Sequence, residues 1–190
     1  MSKRAVIFVD IQNDYFPGGK WTLHGIEAAA DNAARLLESA RQKGDLVVHI
    51  RHEFPTAEAP FFAPGSEGAK INNRVKNLEN EAVVLKHHIN SYRETNLKEI
   101  LDKNGIDEVV ICGAMSHMCI DAVTRASNDF GYKVNVVHDA CASKDLELNG
   151  QIIPAQQVHA AFMSALGFGY AKLLSTEDYV KEPVQAGSAK

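Results

Sequence analysis

The sequence predicts an α/β protein: one doubly wound domain, with a mostly parallel sheet of about six strands and helices on both faces. Short β-branched runs, apolar at every position, alternate with stretches of helical periodicity. Strands apolar on both sides belong to sheets covered on both faces. The 190 residues suit one domain with a full core. The expected boundaries are 1–180 for the domain and 181–190 for a frayed tail.

The elements follow in order. Residues 5–9 (AVIFV) read as a continuous apolar strand. Ile26, Ala29, Ala33, Leu36, Leu37 and Ala40 recur at helical spacing, and Lys43-Gly44 closes that helix. Residues 46–50 (LVVHI) form a second strand, and 54–68, rich in Pro, Gly and Phe, form a loop. Residues 82–85 (AVVL) make a third strand, and 97–103 a helix stopped by Asn104-Gly105. Residues 108–112 (EVVIC) are a fourth strand, with a helix over 118–129 ending near Gly131. Residues 134–137 (VNVV) are a fifth strand, 158–166 a helix, and 170–174 a last strand.

Hydrophobic residues make up 45% and charged residues 23%, with a net charge of −4 and no Lys/Arg cluster. This excludes extensive disorder and argues against a nucleic-acid groove or a polybasic membrane patch. The N-terminal apolar run spans five residues and ends on Asp10. That is too short for a signal peptide, and no run approaches membrane-spanning length. Cys112, Cys119 and Cys141 match neither a disulfide framework nor a CxxC metal site. The expectation is a cytoplasmic protein.

Ligands of open α/β sheets sit beyond the carboxyl ends of the strands. Asp10 ends the first strand, Arg51-His52 follow the second, Lys86-His87-His88 the third, residues 113–119 the fourth and His138-Asp139 the fifth. Cys119 opens a helix, where the dipole lowers a thiol pKa and free N–H groups can hold an oxyanion. A free Cys is, however, more often a small buried hydrophobe. Asp10 can serve as a general base or cap a turn, and Lys86 can supply a cation or be an ordinary solvated lysine. His138 can complete a Cys-His-Asp arrangement, and His52, His87 and His88 can form a metal site, but neither set has a diagnostic spacing. No GxGxxG, P-loop or GxSxG pattern is present.

Four blocks, in order, carry a resemblance: FVDIQNDYFPGG (8–19), KHHINSYRETNL (86–97), VICGAMSHMCIDAVTRAS (110–127) and VVHDACAS (136–143). They resemble the isochorismatase-like cysteine hydrolases, over nearly the whole chain, and imply that family's Rossmann-like domain. The resemblance implies a triad of Asp10 as general base, Lys86 as its cationic partner and Cys119 as nucleophile. It also implies a cis peptide between Ala114 and Met115, with the Met115 and Cys119 amides as the oxyanion hole. Tyr15 matches an aromatic of the substrate pocket, and Phe61 and Phe62 stand in the loop expected to line it, with Trp21 and His52 beside them.

Metal-dependent nicotinamidases of the family carry D-x-H after the second strand and a further His downstream. Here that segment is Ile50-Arg51-His52, and residues 57–70 contain no His. The chain resembles the metal-free members instead, so no metal and no cofactor is expected. True isochorismatases lack the nucleophilic Cys, which argues against that activity as well. The implied function is hydrolysis of a C–N bond in a small amide, ureido or related carbonyl compound, by a homodimer or larger assembly. Two rivals stay open: a dyad in which His117 or His138 activates Cys119, and a thiol-bearing binding protein without turnover.

Overall fold

The structure, a computed structural model, describes residues 3–183. The strands are β1 (Arg4–Val9), β2 (Leu46–His52), β3 (Ala82–Lys86), β4 (Glu108–Ala114), β5 (Lys133–Ala142), β6 (Leu146–Leu148), β7 (Gln151–Ile153) and β8 (Lys172–Leu174). Six of them form one parallel sheet in the order β3-β2-β1-β4-β5-β8, while β6 and β7 pair as a separate antiparallel hairpin. The helices are α1 (Ile26–Lys43), α2 (Leu97–Lys103), α3 (Asp121–Asp129), α4 (Ala155–Gly169) and α5 (Thr176–Lys181).

The chain steps outward from β1 to β3, returns to β4 on the other side of β1, and then steps outward the opposite way. Right-handed crossovers put α1 on one face and α2 and α3 on the other. In keeping with this, α5 packs on α1 and α4 on α3. The reversal between β1 and β4 opens a crevice at their carboxyl ends. Every residue of β1 and β4 is buried, as strands sandwiched between helical layers require. α1 buries Ile26, Ala29, Ala30, Ala33, Leu36, Leu37 and Ala40 and ends on Gly44 in the left-handed conformation, the usual C-terminal stop.

Several strands run further than their apolar patterns predict: β2 to His52, β3 to Lys86, β4 to Ala114 and β5 to Ala142. The added residues are polar or small and are held by ladder pairing. His138 and Asp139 therefore lie inside β5 rather than after it. A π-helical turn over Ser116–Ile120 precedes α3, so the helix begins before residue 118. The hairpin β6–β7 and α5 carry too short a pattern for periodicity to register. The tail expected from residue 181 starts later, because Lys181 ends α5 and Glu182 pairs with Arg4 at 2.6 Å. Residues 184–190 lie outside the described residues.

Two contacts hold the sheet's framework in place. Glu81, ahead of β3, takes Arg41 of α1 at 2.7 Å, His49 of β2 at 3.1 Å and the Leu78 N–H at 2.8 Å. Gly113 (φ 125°) lies where β4 passes β1, and a Cβ there would stand 2.0 Å from the Val9 carbonyl oxygen. Gly113→Ala is expected to cost about 3 kcal/mol or more, read by urea unfolding. Burial raises the Glu81 carboxyl pKa, but Arg41, Leu78 and His49 outweigh it and bring the value down to about 2. The stability this contributes is complete above the ordinary carboxylate range and is lost as pH falls toward 2. Glu81→Gln should therefore flatten the acid limb of the stability–pH curve below about pH 4.5.

Candidate active site

Asp10 follows β1 directly and is fully buried. Its N–H still bonds Ile50 O of β2 at 3.1 Å, but its φ of 52° breaks the strand. A non-glycine residue rarely adopts this conformation and is disfavoured there by roughly 1–2 kcal/mol. Lys86, the last residue of β3, is also fully buried and places Nζ 2.9 Å from Asp10 Oδ2 and 2.9 Å from Ile89 O. Cys119, 2% exposed, sits in the π-helical turn after β4 and faces both charged groups. Three strand ends thus bring a carboxylate, an ammonium and a thiol together.

Burial works against the Lys86 charge, but Asp10 and Cys119 outweigh it and hold the ammonium above its usual range. The Cys119 thiol is pushed up to about 12, first by burial and then by the Asp10 charge, with Lys86 pulling the other way. This corrects the expectation that a helix N-terminus lowers the thiol pKa. At neutral pH the proton stays on sulfur, beside a carboxylate whose Oδ1 has no hydrogen-bond partner.

The turn carrying Cys119 is shaped by its ends. The Ala114–Met115 peptide is cis. The Met115 carbonyl accepts from Met118 N at 3.0 Å and Ile120 N at 3.2 Å, rather than from Cys119 N as an α-helix would have it. Such π-bulges are frequent at functional sites. Ser116 Oγ donates to Ala142 O at 3.1 Å and meets His159 Nδ1 at 2.8 Å, tying the turn to β5 and α4.

Phe61, Phe62 and Tyr15 form one aromatic cluster with Trp21 and Phe54. Tyr15 lies 4.6 Å from Phe62 and 5.8 Å from Phe61, and Trp21 stacks on Phe61 at 4.7 Å. Three residues of the first motif pin this loop. Gln12, fully buried, donates to His52 O and Ala69 O and accepts from His52 N, each at 2.8 Å. Asn13 donates to Glu67 O at 2.9 Å. Asp14 accepts from Phe62 N at 2.7 Å and Lys20 N at 3.1 Å. Gly68 lies against Asp14, where a Cβ would fall 2.1 Å from Oδ1. Sequence reasoning passed over Gln12, Asn13 and Asp14. Their signal was three consecutive polar residues, with two positions between them and the end of a fully apolar strand.

The histidines are placed apart. His117 Nδ1 bonds Ser143 Oγ at 2.8 Å, and His138 on β5 acts on His159 and Asp178. His87 Nδ1 donates to Glu53 O at 2.7 Å, and His88 pairs with Glu94 at 2.9 Å. His52 alone approaches the site. Among the described residues, the donor atoms of Asp10, His52 and Cys119 lie within 4.8 Å of one another, close enough to share a metal ion. The Lys86 ammonium, 2.9 Å from Asp10 Oδ2, already neutralises that carboxylate, so the residues do not fit a cation.

The opposing pulls on Cys119 make a direct test. Asp10→Asn removes the negative charge that raises the thiol pKa, so iodoacetamide should alkylate Cys119 faster at pH 8 than in the parent protein. Lys86→Gln removes the lowering charge and should slow alkylation. Peptide mass mapping of the labelled cysteine reads both.

Comparison with known proteins identifies the family. The Isochorismatase domain family model matches residues 4–169. The uncharacterized isochorismatase family protein YddQ of Bacillus subtilis (strain 168) is 46% identical over 177 residues, covering 93% of this chain and 98% of that one. A crystal structure from Oleispira antarctica bearing the isochorismatase hydrolase name superposes with a TM-score of 0.92 at 56% identity, over 95% of this chain and 97% of that one. Maleamate amidohydrolase of Pseudomonas putida is 30% identical, over 75% of this chain and 73% of its own. With its parallel sheet, its Asp10–Lys86–Cys119 cluster and these relatives, the chain belongs to the isochorismatase family.

Proposed function

We propose that the protein is a cysteine hydrolase that cleaves a C–N bond of a small amide, ureido or related carbonyl compound through a thioester on Cys119. The observation that carries this is the buried meeting of Asp10, Lys86 and Cys119. A thiol held protonated beside a carboxylate needs only a carbonyl carbon within reach. The relationship to a maleamate amidohydrolase supports amide chemistry.

In this reading Asp10 takes the Cys119 proton as sulfur attacks the substrate carbonyl. Lys86 stabilises the thiolate as it forms and holds the carboxylate in place. The N–H groups of Met115 and Cys119 face the developing oxyanion, where loss of one such donor typically costs about 10²–10³ in rate. Asp10 then passes its proton to the departing nitrogen, leaving the thioester. Water, giving a proton to the same carboxylate, releases the acid and the thiol. Tyr15, Phe61 and Phe62 supply an aromatic wall, which favours a compact, partly apolar acyl group. The His117 dyad loses support, since that ring bonds Ser143 Oγ.

Three further points belong to the same reading. α4 carries no Asp, Glu, Lys or Arg and leaves Phe168 96% exposed, while the neighbouring hairpin exposes Leu148 and Ile152. Such a surface favours a homodimer or larger assembly. No helix among the described residues is long and apolar enough to cross a membrane. The three free, buried cysteines suit a reducing compartment.

The test is ammonia release across a panel of small primary amides and ureido compounds. Cys119→Ala and Asp10→Asn should each lose about 10³-fold or more on any compound the parent protein turns over. Full activity in Cys119→Ala would overturn the mechanism.

A further inference from the structure

Asp10 acts twice in the reaction above, on a thiol and then on a water, and His52 stands where that water must be held. This residue closes β2, its side chain is 3% exposed, and Nδ1 lies 4.0 Å from Asp10 Oδ2. That separation is too long for a hydrogen bond and short enough for one water oxygen to bond both atoms. Nε2 is buried without a hydrogen-bond partner.

The ring is also held in place. Gln12 bonds both the N–H and the carbonyl of His52, and the ring lies 4.7 Å from Phe54 and 6.1 Å from Phe62. Burial pushes its pKa down to about 4, and Lys86, His87 and His88 add to the shift against the opposing pull of Asp10. The imidazole is therefore neutral at pH 7 and keeps a lone pair to offer. A cavity of about 390 Å³ begins at this ring, with His87, His88, Asn90 and Arg93 as its polar lining. It shares only His52 and Phe54 with the aromatic cluster.

We infer that His52 holds the hydrolytic water against Asp10 during thioester breakdown, and that the adjoining cavity delivers it. The inference rests on the cysteine-hydrolase reading. One water hydrogen points to His52 Nδ1 and the other to the Asp10 carboxylate. As the oxygen attacks the thioester carbon, its proton passes to Asp10. The C–S bond then breaks, the acid leaves, and the Cys119 thiolate recovers the proton from Asp10.

The probe is p-nitrophenyl acetate, which acetylates a nucleophilic thiol and releases p-nitrophenolate. It is followed by stopped flow, with Cys119→Ala as the control and mass spectrometry reading the acetyl group on Cys119. In His52→Leu, a burst of about one equivalent per chain should persist at nearly the parental rate, while steady-state turnover falls about 10²-fold. Acetyl-Cys119 should accumulate, and hydroxylamine, a nucleophile that needs no base, should restore turnover. His52→Gln, which keeps a polar atom at this position, should recover most of the loss. A burst and a steady state that fall together, or a His52→Leu variant that turns over normally, would overturn the inference and leave the cysteine-hydrolase reading intact. A parent protein with no Cys119-dependent burst would overturn that reading, and the inference with it.

Discussion

Asp10 and Lys86 carry opposite charges 2.9 Å apart, each fully buried. Removing two such ions from water costs several kcal/mol apiece before their attraction is counted, so the pair is a weak source of stability. Its presence constrains everything around it. The carboxylate needs a rigid ledge, which β1 provides as the central strand with a neighbour on each side. The ammonium needs an outer strand of the right length, which β3 provides by ending on Lys86. Neither charge can be relieved by moving toward solvent, because the helical layers and the 54–70 loop close over them. The electrostatic setting of Cys119 follows from this arrangement: one neighbour holds the proton on sulfur and the other stabilises the anion left when it departs.

The fold was largely readable because buried parallel strands advertise themselves. Residues 5–9, 46–50 and 108–112 have no polar face, and nothing but a covered sheet accommodates that. What stayed hidden depended on partners far away in the chain. The extensions of β2, β3, β4 and β5 consist of residues with no strong strand preference, held only by their neighbours' ladders. The β6–β7 hairpin and α5 are too short for a period to emerge. At the site, Asp10, Lys86 and Cys119 were found through spacing and resemblance, and their proximity is a consequence of the β1–β4 reversal. The thiol's pKa was misjudged, since a helix terminus is visible in sequence whereas burial and a nearby carboxylate are not.

The polar run after β1 shows how one motif can serve two purposes. Asp10 turns inward to the reactive groups, while Gln12, Asn13 and Asp14 turn to the loop that carries Phe61 and Phe62. Since each of these three residues satisfies backbone groups of that loop, the aromatic wall and the carboxylate are positioned by a single short segment. Preorganisation of this kind removes reorganisation cost at the moment of reaction. It also couples the shape of the aromatic cluster to the placement of the carboxylate, so a substitution in the loop can be felt at Asp10 without touching it.

Arg4, at the start of β1, ion-pairs with Asp45 ahead of β2 and with Glu182 just past α5, and its guanidinium lies over the Tyr179 ring at 4.7 Å. In a parallel sheet all strands begin on the same edge, so both ends of the described chain meet there. The reactive rim lies across the full length of β1, roughly 20 Å away at about 3.3 Å per residue. A label placed on the exposed Lys3 would stand on the edge opposite Asp10. Immobilisation through that residue would anchor the protein with the Asp10–Lys86 edge facing the solution.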